Sequence, residues 1–181
     1  MTSAPTPSTP STLSTPFDLV DRLVPLAPGQ STWKIRHERP KVVEATQGSY
    51  EALFSPAVEG LSIIERLLVA LHACRIGRAA AFGDHYRERL LAEGAEASLV
   101  DAVDRGEIAL LRDPRLACLL GFTATLMRRP LEGDRAAVQA LRDAGLSTPA
   151  IVALAQLVAF LSYQVRLAAG LKAMSDAEAA A

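Results

Sequence analysis

LSIIERLLVALHACRIGRAAAFGDHYRERLLAEG, residues 61–94, is the stretch that decides the fold. Ser62 and Glu65 form an S-x-x-E capping box directly before a continuous apolar segment, which is typical of a helix start. A second helix is expected over 78–93, and Gly94 can take the left-handed position that ends it. The stretch therefore predicts a helical hairpin.

The rest of the chain shows the same helix signals, in which an Asp, Ser or Thr followed by proline starts a segment and a glycine or proline ends it. Between Pro25 and Pro40 the sequence predicts a turn region instead. No segment alternates apolar and polar residues as a strand does, so the predicted class is all-α, with about eight helices. The expected helices are about 15–24, 40–54, 62–77, 78–93, 98–105, 113–129, 134–144 and 148–173.

A length of 181 residues fits one domain of ordinary size. Residues 1–16 consist almost wholly of Ser, Thr, Pro and Ala. Such a segment buries too little apolar area to offset the entropy of ordering it, so a disordered tail is expected. We predict a single helical domain over 17–174 and a frayed tail over 175–181.

Charge and hydropathy exclude several classes of partner. With 19 basic and 20 acidic residues the net charge is -1, and a chain without a basic stripe is not expected to bind nucleic acid or an anionic membrane. The strongest apolar run, Ala150 to Leu161, has 12 residues, fewer than the ~20 of a membrane-spanning helix. Neither nucleic acid nor a membrane is predicted as a partner.

The chain has two cysteines, Cys74 and Cys118, 44 positions apart. They cannot form a disulfide framework or a four-ligand zinc site, which favours a reducing compartment and a cytoplasmic protein. His72, His85 and Glu65 are suitable metal ligands by type, but their spacing follows no helical metal motif. Phosphate-loop and zinc-helix motifs are also missing from the sequence. No cofactor or metal is therefore predicted.

The order of several stretches resembles the carboxymuconolactone decarboxylase and alkylhydroperoxidase D-like (AhpD-like) superfamily, in its peroxidase-related branch. Glu65 opens an apolar helix and His85 lies on the next helix, before the Gly94 stop, which is similar to the core of that superfamily. The resemblance runs from residue 17 to 172 and implies an AhpD-like helical domain. The other stretches that carry it are 36–40, 46–50, 113–116, 141–151 and 165–171.

Active members of the hydroperoxidase branch resemble one another in a Cys-x-x-Cys-x-x-x-His signature. Two thiols at this spacing near a helix start can form a disulfide after one of them attacks a peroxide. With His85 as the anchor, the thiol positions of this chain are Arg78 and Ala81. Cys74 and Cys118 lie in apolar helices and are interpreted as buried thiols. Alkylhydroperoxidase activity is therefore not expected.

The resemblance implies a candidate site with His85 and Glu65 as catalytic residues and Arg78, His72 and Tyr86 as substrate-binding residues. In this hypothesis His85 is a general acid or base, and Arg78 holds a small carboxylate or carbonyl compound. Each residue also has a structural reading: Glu65 is the acid of the capping box, and either histidine can be a hydrogen-bonded residue of a helix interface.

Two functions follow from these readings. One is an enzyme of the non-thiol lyase or hydrolase kind. The other is a degenerate AhpD-like module that binds a partner without catalysis. The resemblance also implies assembly into a dimer, trimer or hexamer, for which the apolar helix over 148–173 is the expected contact.

Overall fold

The computed structural model describes residues 17–180, and this part of the chain is built from helices and turns without a strand. The all-α prediction is confirmed. Residues 17–180 form nine α-helices, where about eight were expected, and two short 3-10 turns, Ile108–Leu110 and Pro130–Glu132, flank the seventh. The helices are α1 Leu19–Leu23, α2 Ser31–His37, α3 Pro40–Leu53, α4 Ile63–Ile76, α5 Ala80–Ala92, α6 Ala97–Asp104, α7 Pro114–Arg128, α8 Arg135–Asp143 and α9 Thr148–Ala179.

Helix α4 is the centre of the core. Its start is the predicted capping box: the Glu65 backbone N–H donates to Ser62 Oγ at 3.1 Å, and the Ser62 N–H donates to Glu65 Oε2 at 2.7 Å. Residues 66–74 are all buried, and α5, α6, α7 and α9 pack around them. A helix that is mainly apolar on every side is stable only when neighbouring elements cover every side, which explains why four helices surround α4.

Helices α4 and α5 form the predicted hairpin. Gly83 on α5 lies against the Arg75 side chain, since a Cβ at Gly83 would be 2.8 Å from the guanidinium. Arg75 can therefore reach across α5 to Asp84 at 2.7 Å and to Asp104 of α6 at 2.5 Å. Gly94 has a φ of 79°, which is the left-handed conformation predicted for the end of α5.

The N-terminal region departs from the prediction in two ways. Helix α1 begins at Leu19, with Asp18 as its N-cap, whereas the sequence predicted a start near residue 15. The expected tail over 1–16 lies outside the described residues. The predicted turn region before Pro40 contains α2, whose N-cap Gln30 makes no side-chain cap bond. The residue that caps α2 is distant in sequence, so no local sequence signal predicted this helix.

That cap is Glu178, on the last turn of α9. Its carboxylate accepts hydrogen bonds from the Ser31 N–H at 2.6 Å and the Thr32 N–H at 3.1 Å, and these bonds lower the pKa of Glu178. The prediction of a frayed tail from residue 175 is therefore wrong for the residues up to Ala179, which are helical. The helical domain extends past the predicted boundary because its end is fixed to α2.

Helix α9 is also longer than the helix over 148–173 that the sequence predicted. Within the described residues it is the one helix long and apolar enough to span a membrane by length and composition, with a window of mean hydropathy 1.6. However, 44% of that window is buried inside the domain, and α9 packs against α2, α3, α4, α7 and α8. These contacts are those of a core helix.

Candidate functional site

His85 lies half-buried on α5, facing α1 and α3. Its Nδ1 is 3.1 Å from Arg22 Nη2, and its Nε2 is 2.9 Å from Tyr50 Oη. Arg89, one turn further along α5, donates from Nη1 to the same Tyr50 oxygen at 2.7 Å. We call Arg22, Tyr50, His85 and Arg89 the His85 cluster.

The hydrogen bonds define the tautomer of His85. A guanidinium has no acceptor, so Arg22 must donate to Nδ1, and Nδ1 carries no proton. The neutral imidazole therefore holds its proton on Nε2 and donates it to Tyr50 Oη. Because the Tyr50 oxygen accepts this bond and the one from Arg89, its own hydroxyl proton is left to donate to a third group. Among the described residues no acceptor takes that proton.

Two cations of the His85 cluster have no carboxylate partner. Within residues 17–180 neither Arg22 nor Arg89 forms a salt bridge; instead, Arg22 lies over the Phe17 ring at 5.0 Å and Arg89 over the Phe54 ring at 5.2 Å. Burial, together with the charges of Arg22 and Arg89, lowers the pKa of His85 to about 4. The imidazole is therefore neutral at neutral pH, inside a positively charged cluster.

A buried ionic clamp holds α1, and with it Arg22, in place. Arg36 of α2 donates to Asp18 Oδ1 at 2.7 Å and to Asp21 Oδ1 at 2.6 Å, and its side chain is 4% exposed. From α3, Gln47 Oε1 accepts the Leu19 N–H at 3.1 Å. Because α1 has only five residues, these bonds from neighbouring helices fix its orientation.

Glu65 does not join the His85 cluster. Its Oε1 accepts a hydrogen bond from Arg115 Nε at 2.7 Å, and its Oε2 completes the capping box with Ser62. Arg115 also donates to the Gly60 carbonyl at 2.8 Å, so the pair joins the start of α4 to α7. Both carboxylate oxygens are thus engaged in structural bonds, and the structural reading of Glu65 replaces the catalytic one.

His72 and Tyr86 are buried core residues, and the Tyr86 ring lies edge-on to the His85 ring, with the ring centroids 5.2 Å apart. His72 is 5% exposed, and burial, with a smaller contribution from Arg128 of α7, lowers its pKa to about 4. Its Nδ1 has no partner among the described residues. The Tyr86 side chain is fully buried and donates its hydroxyl to Gln164 Oε1 at 2.9 Å. The Tyr86 hydroxyl is thus bonded inside the core, and both side chains are buried away from solvent.

Arg78 lies in the turn between α4 and α5 and lines a groove of about 430 Å³, together with Ala81. Its φ of 56° is the one positive value at a non-glycine residue in the described chain. The groove and the His85 cluster are separate features: none of the four cluster residues lines the groove. The five predicted site residues are therefore distributed over several places.

The two thiols are free and unreactive by environment. Cys74 is fully buried, and burial raises the pKa of its thiol to about 12. Cys118 is half-buried, not fully buried as the sequence predicted, and desolvation raises the pKa of its thiol as well. Nucleophilic attack on a peroxide needs a thiolate, which neither site favours. Among the residues that the structure describes, no group of three or more His, Cys, Asp or Glu could hold a metal ion.

Arg22, Tyr50 and Arg89 were not predicted as members of the His85 site. Arg89 follows His85 by four positions, so both lie on one face of α5, and this spacing could have indicated the pair. Tyr50 ends a stretch that contributed to the family resemblance, which was a weak signal. Nothing in the local sequence marks Arg22.

Among solved structures, the chain is similar to the crystal structure of an uncharacterized peroxidase-related protein from Silicibacter sp. TM1040, with a TM-score of 0.66. The two are 21% identical, and the match covers 72% of this chain and 68% of that one. At this identity the similarity shows a shared fold, which agrees at a coarse level with the AhpD-like resemblance. No family model matches the chain, and no curated protein matches it.

Proposed function

We propose that the chain binds a small carboxylate or carbonyl compound at the His85 cluster and uses His85 as an acid or base on it, in the cytoplasm and without a cofactor. The observation that supports this most is the pair of guanidiniums, Arg22 and Arg89, bonded to the His85–Tyr50 pair and lacking a carboxylate partner in the described chain. Guanidiniums bind carboxylates through charge-assisted hydrogen bonds. In this proposal the anion beside His85 is bound by Arg22 and Arg89, whereas the sequence predicted Arg78 for that place.

The cluster contains the groups that such chemistry requires. A ligand carboxylate that draws the exposed Arg22 away from His85 leaves Nδ1 with a free lone pair, which is the acceptor site of a general base. The same anion offsets the charges that lower the His85 pKa and brings it nearer to neutral pH. Tyr50 can donate its unused proton to a ligand carbonyl oxygen. After Nδ1 takes a proton, His85 is an imidazolium, still bonded through Nε2 to Tyr50.

Binding of small anions tests the proposal. Pyruvate and succinate are titrated into the protein by calorimetry, with the Arg22→Gln and Arg89→Gln variants and with Arg129→Gln as the matched control, since Arg129 is exposed and pairs with Glu132. Each cluster variant should lower the affinity about tenfold, the loss of one charge-assisted bond. No binding by the unmodified protein, or equal losses in the control, would reject the proposal.

A second candidate is the non-catalytic AhpD-like module that self-associates or binds a partner protein. It is favoured by the fact that both ring nitrogens of His85 are bonded inside the chain, to α1 and α3. In that case His85 is a structural link between three helices. His85→Gln would then lower the melting temperature, while no small anion would bind. Light scattering would give the size of the predicted dimer, trimer or hexamer.

A further inference from the structure

A groove runs between the α4–α5 turn, the end of α1 and the last third of α9. Its volume is about 430 Å³, within the size range of pockets for small molecules. The walls are mainly apolar and include Leu23, Phe82, Val165 and Ala168. A ligand that fills the groove must therefore have a largely apolar body.

The charge at the rim of the groove is positive. Lys172 and Asp176, both at the rim, pair with each other at 2.9 Å, so their charges cancel locally. Arg78 is exposed and forms no salt bridge within residues 17–180. The groove thus presents one uncompensated cation beside apolar walls.

The backbone adds N–H donors, whose partial charge is positive like the charge of Arg78. The first N–H groups of α5, those of Ala80, Ala81 and Phe82, have no acceptor among the described residues, and Ala79 provides no side-chain cap. All three residues line the groove. Free N–H groups at a helix start favour an anion, so they reinforce the charge of Arg78.

We infer that this groove binds a monocarboxylate with an apolar body, such as an aryl or branched-alkyl carboxylate, with the carboxylate at Arg78 and the body against Leu23, Phe82 and Val165. One negative charge matches one unpaired cation, and a ligand with several charges would leave some of them against apolar walls. The site is independent of the His85 cluster and of the function proposed there.

Benzoate is the probe, and benzamide is its neutral control of the same shape. Amide chemical shifts are followed in ¹⁵N-labelled protein during titration with each compound. Benzoate should shift the amides of 78–82 and 168–172 in a saturable way, and benzamide should bind at least tenfold more weakly. Shifts confined to residues 22, 50, 85 and 89 would place benzoate at the His85 cluster and overturn the inference.

Three variants complete the test. Arg78→Gly removes the cation and relaxes a backbone with a φ of 56°, a conformation that glycine adopts freely, so the variant should lose benzoate binding and keep the fold. Ala169→Trp, at an exposed groove residue, should block the groove. Arg129→Gln, at an exposed arginine outside the groove, should leave benzoate binding unchanged.

Two other results would overturn the inference. The first is an affinity of Arg78→Gly for benzoate that lies within twofold of the affinity of the original protein. The second is a fall in the molecular mass of Ala169→Trp by light scattering, which would show that the groove is covered by a second copy of the chain.

Discussion

Replacing His72 with leucine is expected to weaken the pH dependence of the free energy of unfolding between about pH 7 and about pH 5. The pKa of His72 is lowered to about 4 in the folded domain, from an ordinary value of 6.5. The unfolded chain therefore takes up a proton as the pH falls below 6.5, while the folded domain does not until about pH 4. The stabilising effect of the neutral imidazole is present above pH 6.5 and is lost progressively down to pH 4.

These two pKa values give the size of the effect. Linkage between proton binding and folding yields a loss of about 2 kcal/mol from His72 between pH 7 and pH 5. At pH 7 the leucine variant should be as stable as the original or more stable, because it removes a buried Nδ1 that has no partner in the described chain and that costs free energy to keep there.

Urea unfolding of both proteins at several pH values measures this difference. Carboxylates elsewhere titrate in both proteins, so the quantity to compare is the difference between the two pH profiles. The original protein should lose about 2 kcal/mol more than His72→Leu. Parallel profiles, or a leucine variant much less stable at pH 7, would refute the assignment of His72 as a buried, neutral and unpaired residue.

Three further predictions concern the thiols, the capping box and the clamp. Cys74 should react with a thiol reagent only when the protein unfolds, and the protein should not reduce cumene hydroperoxide. Measurable reduction of cumene hydroperoxide that Cys74→Ser abolishes would contradict the assignment of Cys74 as an unreactive thiol. Glu65→Ala should lower the free energy of unfolding by about 1–2 kcal/mol. Glu65→Gln retains a capping acceptor and should lower it by less. Equal losses for the two variants in urea unfolding would show that capping contributes little. Arg36→Met removes the guanidinium that binds Asp18 and Asp21 and should lower the free energy of unfolding by about 3 kcal/mol or more. An unchanged melting temperature would contradict the stabilising role of this ionic clamp.

The parts of the fold that were predictable are those with local signals. The capping box of α4 and the Asp113–Pro114 start of α7 are written in adjacent residues, and the structure confirms both. Helix α2 and the last turn of α9 were not predictable, because each depends on the other through Glu178 and Ser31, which are 147 positions apart.

The candidate site shows the same limit. The sequence indicated His85, but its two hydrogen-bond partners come from α1 and α3. Only the stretch that ends at Tyr50 contributed to the family resemblance, and nothing marked Arg22. Glu65 and Tyr86 have the right chemistry for a site, yet the core takes both for structural hydrogen bonds. Residue type and spacing can therefore suggest a site residue, while its partners depend on the packing of helices that are distant in sequence.

The pKa of His85 in the presence and absence of a small carboxylate tests the central claim most directly. The chain has three histidines, so the His85 ring signals can be assigned in an NMR titration by comparison with His85→Gln. The pKa should be about 4 in the free protein and should rise by about one unit or more with saturating succinate, because the bound anion offsets the charges of Arg22 and Arg89. A pKa near 6.5 in the free protein, or one that succinate leaves unchanged, would contradict it.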